Sequence, residues 1–257
     1  MFSRLARYRD IVFYRIWAQL KSEARQNYLG YLWFALEPML MTGIFFLVFG
    51  FLLESRSPEY LWFLTIGMIT WQWFDSALSE GMVALKAKFH ILSQIALPKE
   101  IFPLVSIGAS TWKFTCVLAV VLLANLFWGA GASFYWLLLP LVMLVQLGII
   151  VGLSWLLAVA VSYSEDTLKI TQAITRLFFY LSGIFFSVER VPAYLQTAFY
   201  ANPLAVVFQS YRDVLLYHHA PNFQLLGYAA LWAVGLMLAG FWLCKRIDKR
   251  LMKEVVA

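Results

Sequence analysis

Five charged side chains interrupt long apolar stretches of the sequence and are the first candidates for chemistry. They are Glu37, Asp75, Glu80, Lys113 and Arg176. A charge inside a membrane-spanning segment is costly, so such residues usually face the protein interior, pair with one another or line a wet path. Asp75 and Lys113 lie at comparable depths on consecutive apolar segments, which predicts an ion pair between them. A structural pair and a role in transport both remain open.

Catalytic groups are scarce in this chain. No glycine is followed by lysine, so the sequence lacks a phosphate-binding loop of the GxxxxGK type. The three histidines, His90, His218 and His219, lie outside the apolar runs, and none is available for nucleophilic catalysis within a membrane. Glu165 and Asp166 are adjacent and would point in different directions on a helix. We therefore predict a protein that is not an enzyme and that itself binds no cofactor or metal.

The composition predicts that most of the chain lies in a bilayer. Of its 257 residues, 62% are hydrophobic and 13% are charged, whereas a soluble domain is about half apolar and a quarter charged. The net charge of +6 does not indicate nucleic acid, because the basic residues cluster at the ends of apolar segments and there orient a membrane protein. Cys116 and Cys244 have no metal-binding spacing and are predicted to be inert core residues.

Six apolar runs are long enough to cross about 30 Å of hydrocarbon as helices. They cover residues 32–53, 60–78, 101–127, 134–161, 167–186 and 223–244. If the N-terminus is cytoplasmic, fifteen lysines and arginines lie on the cytoplasmic side and three on the opposite side. The positive-inside rule therefore predicts that both termini are cytoplasmic. Gly148 and Gly152 have a spacing that permits close helix packing. The predicted fold class is an all-α membrane protein with six transmembrane helices in one domain, residues 1–257.

Residues 1–27 are predicted to form an amphipathic helix at the membrane interface. One face of a helical wheel carries Leu5, Tyr8, Val12, Phe13, Ile16 and Leu20. The opposite face carries Arg4, Arg7, Arg15, Lys21 and Arg25. Such a helix lies in the membrane plane with its basic face towards water. Lipid anchoring and the docking of a partner are both open interpretations.

Two further segments outside the spans are predicted to have defined structure. Residues 84–100 form a cytoplasmic connection with a short helix that Pro98 ends, and this is either an ordinary amphipathic loop or a lever that an external machine moves. Residues 187–222 are predicted to form two short helices broken at Asn202-Pro203. Because this segment is too apolar for a solvated loop and too charged for a full crossing, we predict a re-entrant hairpin on the outer side.

Several strings resemble the permease subunits of type-2 ATP-binding-cassette (ABC-2) exporters, in the branch that exports O-antigen, capsular polysaccharide and teichoic acid. YLGYLWFALEP at 28–38 is similar to the Leu-Gly turn and first-span entrance of that branch, and GMITWQWFDSAL at 67–78 to its second span. ILSQIALPKEIFPL at 91–104 is similar to its coupling-helix segment, and YANPLAVVFQSYRDVLL at 200–216 to its outer gate. The strings occur in the same order as in the family, and the resemblance covers residues 4–249.

The resemblance implies a permease that forms a homodimer and binds two copies of a separate cytoplasmic ATPase. ATP and Mg²⁺ would be bound by that ATPase. The implied cargo is a lipid-linked polysaccharide, the implied location is the bacterial inner membrane with its lipids, and no nucleic acid partner is implied. The cargo stays open, because YLSGIFFSVERVP at 180–192 favours capsule exporters and WQWFDS at 71–76 favours O-antigen exporters.

The resemblance also implies four groups of functional residues. The ATPase-coupling group is Lys86, Lys88, Phe89, Ile91, Leu92, Ile95 and Leu97. The entrance group is Arg15, Arg25, Tyr28, Leu29, Gly30 and Glu37, in which the arginines would suit the pyrophosphate of the lipid carrier. The pore aromatics are Phe45, Phe46, Phe49, Phe178, Phe179, Phe185 and Phe186. The outer-gate group is Pro192, Tyr194, Asn202, Pro203 and Arg212.

Alternatives remain for the aromatics and for the function. Aromatic faces bind sugar rings with few strong hydrogen bonds, which allows sliding, but core packing and interfacial belts are the other interpretations. An ABC-2 exporter of drugs or small lipids would have a smaller, closed cavity. A non-transporting membrane scaffold that recruits a partner through its N-terminal helix would tolerate charge swaps in residues 84–100 and would depend on no ATPase.

Overall fold

The computed structural model describes residues 2–26, 28, 30–48, 58–87, 100–128 and 131–256, and their regular structure is helical. The helices are α1 (Phe2–Gln26), α2 (Trp33–Phe45), α3 (Pro58–Ala87), α4 (Ile101–Trp128), α5 (Leu139–Tyr163), α6 (Glu165–Leu181), α7 (Ala193–Tyr200), α8 (Pro203–Leu215) and α9 (Phe223–Val256). Short 3₁₀ turns lie at Gly30–Leu32, Phe134–Leu138 and Val188–Arg190. The all-α class is therefore confirmed over the described residues.

Three of the described helical segments are long and apolar enough to cross a membrane. They are Ile101–Phe127, Phe134–Tyr163 and Phe223–Arg246. These segments coincide with three of the six predicted spans, although α9 continues to Val256. The other three predictions fall on α2, α3 and α6, which are shorter or more polar. The count of six crossings therefore stays a prediction.

Helices α5 and α9 pack closely because glycines line their contact. A Cβ atom at Gly152 would lie 2.6 Å from the backbone of Leu236, and one at Gly148 would lie 2.9 Å from Ala233. The predicted close packing at this glycine spacing is confirmed. Helix α3 also packs on α5, where the buried Gln146 donates a hydrogen bond to the Thr70 carbonyl at 2.8 Å. These contacts form the apolar core that supports the site described below.

The fifth predicted span differs from the structure at its C-terminal end. The sequence predicts one helix through residue 186, whereas α6 ends at Leu181 and the chain turns at residues 182–186. Gly183 has a φ of +70°, a left-handed conformation that favours glycine. The carbonyls of Gly183 and Ile184 accept hydrogen bonds from Arg212. The local pattern could not reveal this break, because Arg212 lies 29 residues after Gly183.

The outer segment contains the two predicted helices, α7 and α8, separated at Asn202. Asn202 Oδ1 accepts a hydrogen bond from the Leu204 N–H at 3.0 Å, and Pro203 takes the first helical position, where a missing N–H costs little. Helix α7 is mostly exposed, whereas nearly all of α8 is buried. The two helices and their break are confirmed, and their position relative to a membrane stays a prediction.

The predicted N-terminal helix is present as α1 and contacts α4. Leu20 is buried, and the rings of Trp17 and Trp112 lie 5.5 Å apart. Phe13, which the helical wheel assigns to the same apolar face as Leu20, is 63% exposed. After α1 the chain turns at Gly30, whose φ is +52°. The position of α1 at a membrane interface stays a prediction.

The two cysteines lie in different environments. Cys244 is buried, whereas Cys116 is exposed on α4. The prediction of two core cysteines is therefore wrong for Cys116. The surrounding sequence could not distinguish the two cases, because the core-facing and lipid-facing sides of a membrane helix are both apolar.

Some predicted site residues lie outside the described residues, and their roles stay predictions. They are Leu29 of the entrance group, Phe49 of the pore aromatics, and Lys88, Phe89, Ile91, Leu92, Ile95 and Leu97 of the coupling group.

Candidate functional site

Lys113 on α4 joins two carboxylates from two other helices. Its Nζ lies 2.8 Å from Glu23 Oε2 on α1 and 3.2 Å from Glu80 Oε1 on α3. Gln19, one turn before Glu23, donates hydrogen bonds to both carboxylates, at 3.0 and 3.3 Å. The Lys113 side chain is only 18% exposed. These contacts tie three helices together, because loss of one partner would leave a partly buried charge uncompensated.

The predicted ion pair between Asp75 and Lys113 is wrong. Lys113 pairs with Glu80, five residues further along α3, and Asp75 forms no ion pair within the described part of the chain. The positive charge that acts on Asp75 is that of Arg176 on α6. The prediction assumed that residues at equal depths in two apolar runs are neighbours. Glu80 lies five residues after Asp75, so the offset between the two helices differs from the assumed one by about 7.5 Å along the helix axis.

A cavity of about 360 Å³ lies beside this network, between α1, α2, α3 and α4. Its volume falls within the range of roughly 300–1,000 Å³ that is typical of ligand pockets. The polar part of its lining consists of Glu23, Glu37, Gln72, Asp75, Ser76, Glu80, Ser110 and Lys113. The aromatic part consists of Trp33, Phe34, Trp73 and Phe114. The Trp73 and Phe114 rings stack at 4.3 Å, which fixes one wall of the cavity.

The described pore aromatics contribute to a cluster within this chain. Phe45 of α2 lies 5.7 Å from Phe179 of α6 and 5.0 Å from Phe185 in the turn that follows. Trp71 of α3 lies 5.3 Å from Phe179. Phe178 is 39% exposed, and Phe46 and Phe186 are partly buried against the core. The contacts pack α2, α3 and the end of α6 together, and a pore-lining role for these residues stays a prediction.

Arg212 of α8 is buried where α3, α8 and the turn after α6 meet. Its guanidinium donates hydrogen bonds to the carbonyls of Phe63 at 3.3 Å, Gly183 at 2.8 Å and Ile184 at 3.0 Å. It also lies over the Phe63 ring, 3.5 Å from its centroid. Burial lowers the pKa of Arg212 to about 9. Arg212 therefore holds the outer helices to the end of α6, whatever part it plays in gating.

The remaining outer-gate residues lie around α7 and α8. Asn202 Nδ2 donates a hydrogen bond to Ser182 Oγ at 2.8 Å, a second link between α8 and the turn after α6. Pro203 begins α8, and Pro192 precedes α7. Tyr194 is 81% exposed. The structure thus brings Asn202 and Arg212 to the same turn and leaves Tyr194 at the surface.

Comparison with known proteins assigns the chain to a family. Residues 12–216 match the family model described as ABC-2 type transporter, and the match runs from α1 to the end of α8. The chain belongs to the ABC-2 type transporter family. Its three long apolar helices agree with the integral membrane location of ABC-2 permeases.

Named relatives of this ABC-2 transporter are similar over most of their length. The O-antigen export system permease protein RfbA of Myxococcus xanthus is 23% identical over 91% of this chain and 90% of the relative. A protein of the same name from Klebsiella pneumoniae is 25% identical over 77% of this chain and 76% of the relative. The polysialic acid transport protein KpsM of Escherichia coli is 23% identical over 87% of this chain and 88% of the relative. The resemblance to polysaccharide-export permeases is therefore confirmed.

The entrance residues of this ABC-2 permease do not form a single cluster. Glu37 lines the cavity between α1 and α4. Arg15 lines a neighbouring groove of about 590 Å³. Arg25 and Tyr28 are exposed. The arginines predicted to meet pyrophosphate therefore do not line the cavity, and that role stays a prediction.

Lys86 is the coupling residue whose surroundings the structure describes. Its ammonium pairs with the Glu165 carboxylate at the start of α6, and both side chains are exposed. The hydrogen bond from Lys86 lowers the pKa of Glu165. This contact links the last turn of α3, where the helix extends to Ala87 and so includes the first residues of the predicted lever, to α6.

Sequence reasoning missed Glu23, Gln19 and most of the cavity lining. Glu23 lies seven residues after Ile16 and three after Leu20, on the face of α1 that the wheel treats as apolar. An acidic residue on that face was the available signal, since it needs a partner when the face is covered. Gln72 and Trp33 carried no comparable signal, because polar and aromatic residues near span ends are common.

Proposed function

We propose that this chain is the membrane subunit of an ATP-driven exporter that moves lipid-linked polysaccharide across the bacterial inner membrane. The observation that carries the proposal is family membership over residues 12–216 combined with full-length similarity to a named O-antigen export permease. The names of the relatives favour polysaccharide over drugs or small lipids as cargo. In this proposal separate ATPase subunits bind ATP and Mg²⁺ and carry out hydrolysis.

The chain crosses the membrane six times in this proposal, with both termini in the cytoplasm. The three long apolar helices support three of the crossings. The segment that begins with α2, together with α3 and α6, supplies the others. Helix α1 lies along the cytoplasmic interface, and α7 and α8 form the outer hairpin.

Two copies of the chain enclose the pore, with one ATPase subunit bound to each. Support comes from α6, which carries the exposed polar side chains of Lys169, Gln172 and Arg176 beside exposed Ile174 and Leu177. Lipid would not solvate these polar groups, whereas a water-filled pore or a second copy would. The pore aromatics of α2 and α6 lie next to this surface in the proposed dimer.

Capsular polysaccharide is a second candidate cargo. The observation that favours it is the similarity to KpsM, a polysialic acid transport protein, over 87% of this chain. The two RfbA relatives described above favour O-antigen.

Purification of the tagged chain from its own membranes tests the proposed assembly. An ABC ATPase subunit is expected to co-purify, and in lipid nanodiscs the complex is expected to hydrolyse ATP faster than the ATPase alone. A complex with an ATPase variant that lacks its phosphate-loop lysine provides the control and should show no hydrolysis. Absence of an associated ATPase, together with unchanged hydrolysis on mixing, would refute the proposal.

A further inference from the structure

The cavity between α1, α2, α3 and α4 combines an exposed tryptophan ring, that of Trp33, with hydrogen-bonding groups. We propose that it binds a neutral, hydroxyl-rich sugar unit of the exported glycan, at a site separate from the aromatic cluster around Phe179. The inference rests on the proposed function and deepens it, because it names the part of the cargo that this cavity receives.

Several polar groups of the lining have hydrogen-bonding capacity to spare. Within the described part of the chain, the side chains of Glu37, Gln72 and Asp75 form no hydrogen bond or ion pair. Ser110 is 2% exposed, and its hydroxyl lies beside the Glu80 carboxylate. Gln72 is half-buried, whereas Glu37 and Asp75 are exposed, so a ligand would replace water as the partner of these groups. A ligand with many hydroxyls can both donate to carboxylates and accept from the Gln72 amide.

The Trp33 ring suits the apolar face of a sugar ring. Trp33 is 39% exposed and lines the cavity from α2. Trp73 and Phe114 stack on each other on the α3–α4 side and are only 2% and 4% exposed, so they support the wall of the cavity and leave Trp33 as the accessible ring. The C–H groups of a pyranose face carry slight positive charge, which the negative face of an aromatic ring attracts. The lining therefore offers one accessible aromatic ring, that of Trp33, together with polar groups.

The charges of the lining disfavour an anionic ligand. Four carboxylates and one lysine line the cavity, and Lys113 is already paired with Glu23 and Glu80. A pyrophosphate or an acidic sugar would meet carboxylates at close range, which is repulsive. Lys113 compensates Glu23 and Glu80, and Arg176 acts on Asp75, so an amine is attracted less strongly than four isolated carboxylates would attract it. An acyl chain would leave the polar groups unsatisfied.

Photocrosslinking in exporting cells tests the site directly. p-Benzoylphenylalanine replaces Trp33, and the captured material is separated by mass and stained for carbohydrate. The matched control places the same photoprobe at Trp232, an exposed tryptophan on α9 outside the cavity. Glycan is expected to be captured at position 33 and not at position 232. Placing the photoprobe at Glu37, which is exposed and also lines the cavity, keeps the test valid if the Trp33 variant does not accumulate.

Polar variants of the lining separate specific binding from proximity. Gln72→Leu and Asp75→Asn are each expected to lower the glycan yield at position 33 by about three- to tenfold, as for the loss of one or two hydrogen bonds. Glu59→Gln, at the exposed start of the same helix, is expected to leave the yield unchanged. Protein level and ATPase recovery are measured for each variant, so that a folding defect is recognised.

The outcomes distinguish this inference from the function on which it rests. Capture of lipid alone at position 33, or equal glycan capture at positions 33 and 232, would overturn the inference, and continued chain-dependent export in those cells would leave the proposed function intact. Loss of the chain without any effect on surface glycan would overturn both.

Discussion

At the scale of single residues, Lys113 connects α1 to the helices behind it through Glu23 and Glu80. All three side chains are partly buried, at 18%, 29% and 32% exposure. Their contacts determine where the C-terminal half of α1 lies against the apolar helices. If an ATPase moves α1, the same contacts carry that motion to α3 and α4.

Lys113→Met is expected to destabilise the folded protein by about 1–3 kcal/mol, less than a fully buried pair would lose, because solvent partly screens the charges left behind. Lys113→Glu is expected to be worse, and the double variant Glu23→Lys/Lys113→Glu should recover part of the loss. Thermal unfolding in detergent measures the effect. Lys21→Met, at an exposed lysine on the same helix as Glu23, is the control and should change little. Equal stability of all these proteins would contradict the account.

Arg212→Lys is expected to lower the free energy of unfolding by about 2–4 kcal/mol, because a lysine ammonium cannot reach the carbonyls on α3 and on the turn after α6 at once. Limited proteolysis in the turn at residues 182–186, together with thermal unfolding, measures the loss of this anchor. The conservative control is Arg25→Lys, at an exposed arginine. An unaltered cleavage pattern in the Arg212 variant would show that its three hydrogen bonds do not hold the turn.

At the scale of elements, the apolar pattern predicted α4, α5 and α9 well, because long uninterrupted apolar runs have few other structures available. It also predicted α7, α8 and their break, because Asn202 and Pro203 are local signals. It failed for the end of α6 and for the partner of Lys113. Both depend on the offset and contact of segments distant in sequence, Arg212 with Gly183 and Glu80 with Lys113, which local periodicity does not encode.

Gly152→Ala tests the close contact of α5 with α9. The new methyl group would lie 2.6 Å from the backbone of Leu236, so the helices must separate. We expect this to lower the free energy of unfolding by about 1–3 kcal/mol. Gly235→Ala, on α9, meets no atom within 4 Å and is expected to be neutral or slightly stabilising. Unfolding in mixed micelles compares the two variants. If they behave alike, close packing at Gly152 does not contribute to stability.

At the scale of the whole molecule, the proposed exporter must convert ATP hydrolysis on a partner into movement of a glycan. The predicted coupling segment, residues 84–100, begins within the last turn of α3, and Lys86 and Glu165 join that turn to α6. A push on this segment would therefore reach both the pore aromatics on α6 and, through α3, the cavity. This route is a consequence of the proposed function.

Ile91→Asp and Ile95→Asp, in the predicted coupling segment, are expected to reduce export at least about tenfold while the complex still hydrolyses ATP, because a charge in an apolar docking contact is costly to bury. Export per ATP hydrolysed is the quantity to measure, alongside the amount of protein in the membrane. Lys21→Met, at an exposed site on α1, serves as the control. Normal export by both aspartate variants would count against the coupling assignment.

The most direct test of exporter function uses inverted inner-membrane vesicles that contain the chain, its ATPase and a labelled lipid-linked polysaccharide on the outward, cytoplasmic face. The measured quantity is the fraction of glycan that becomes protected from an added glycosidase. We expect protection to increase with time when ATP is supplied and to require both this chain and ATP hydrolysis. Equal protection in vesicles that lack the chain, or no protection when both subunits and ATP are present, would contradict the central claim.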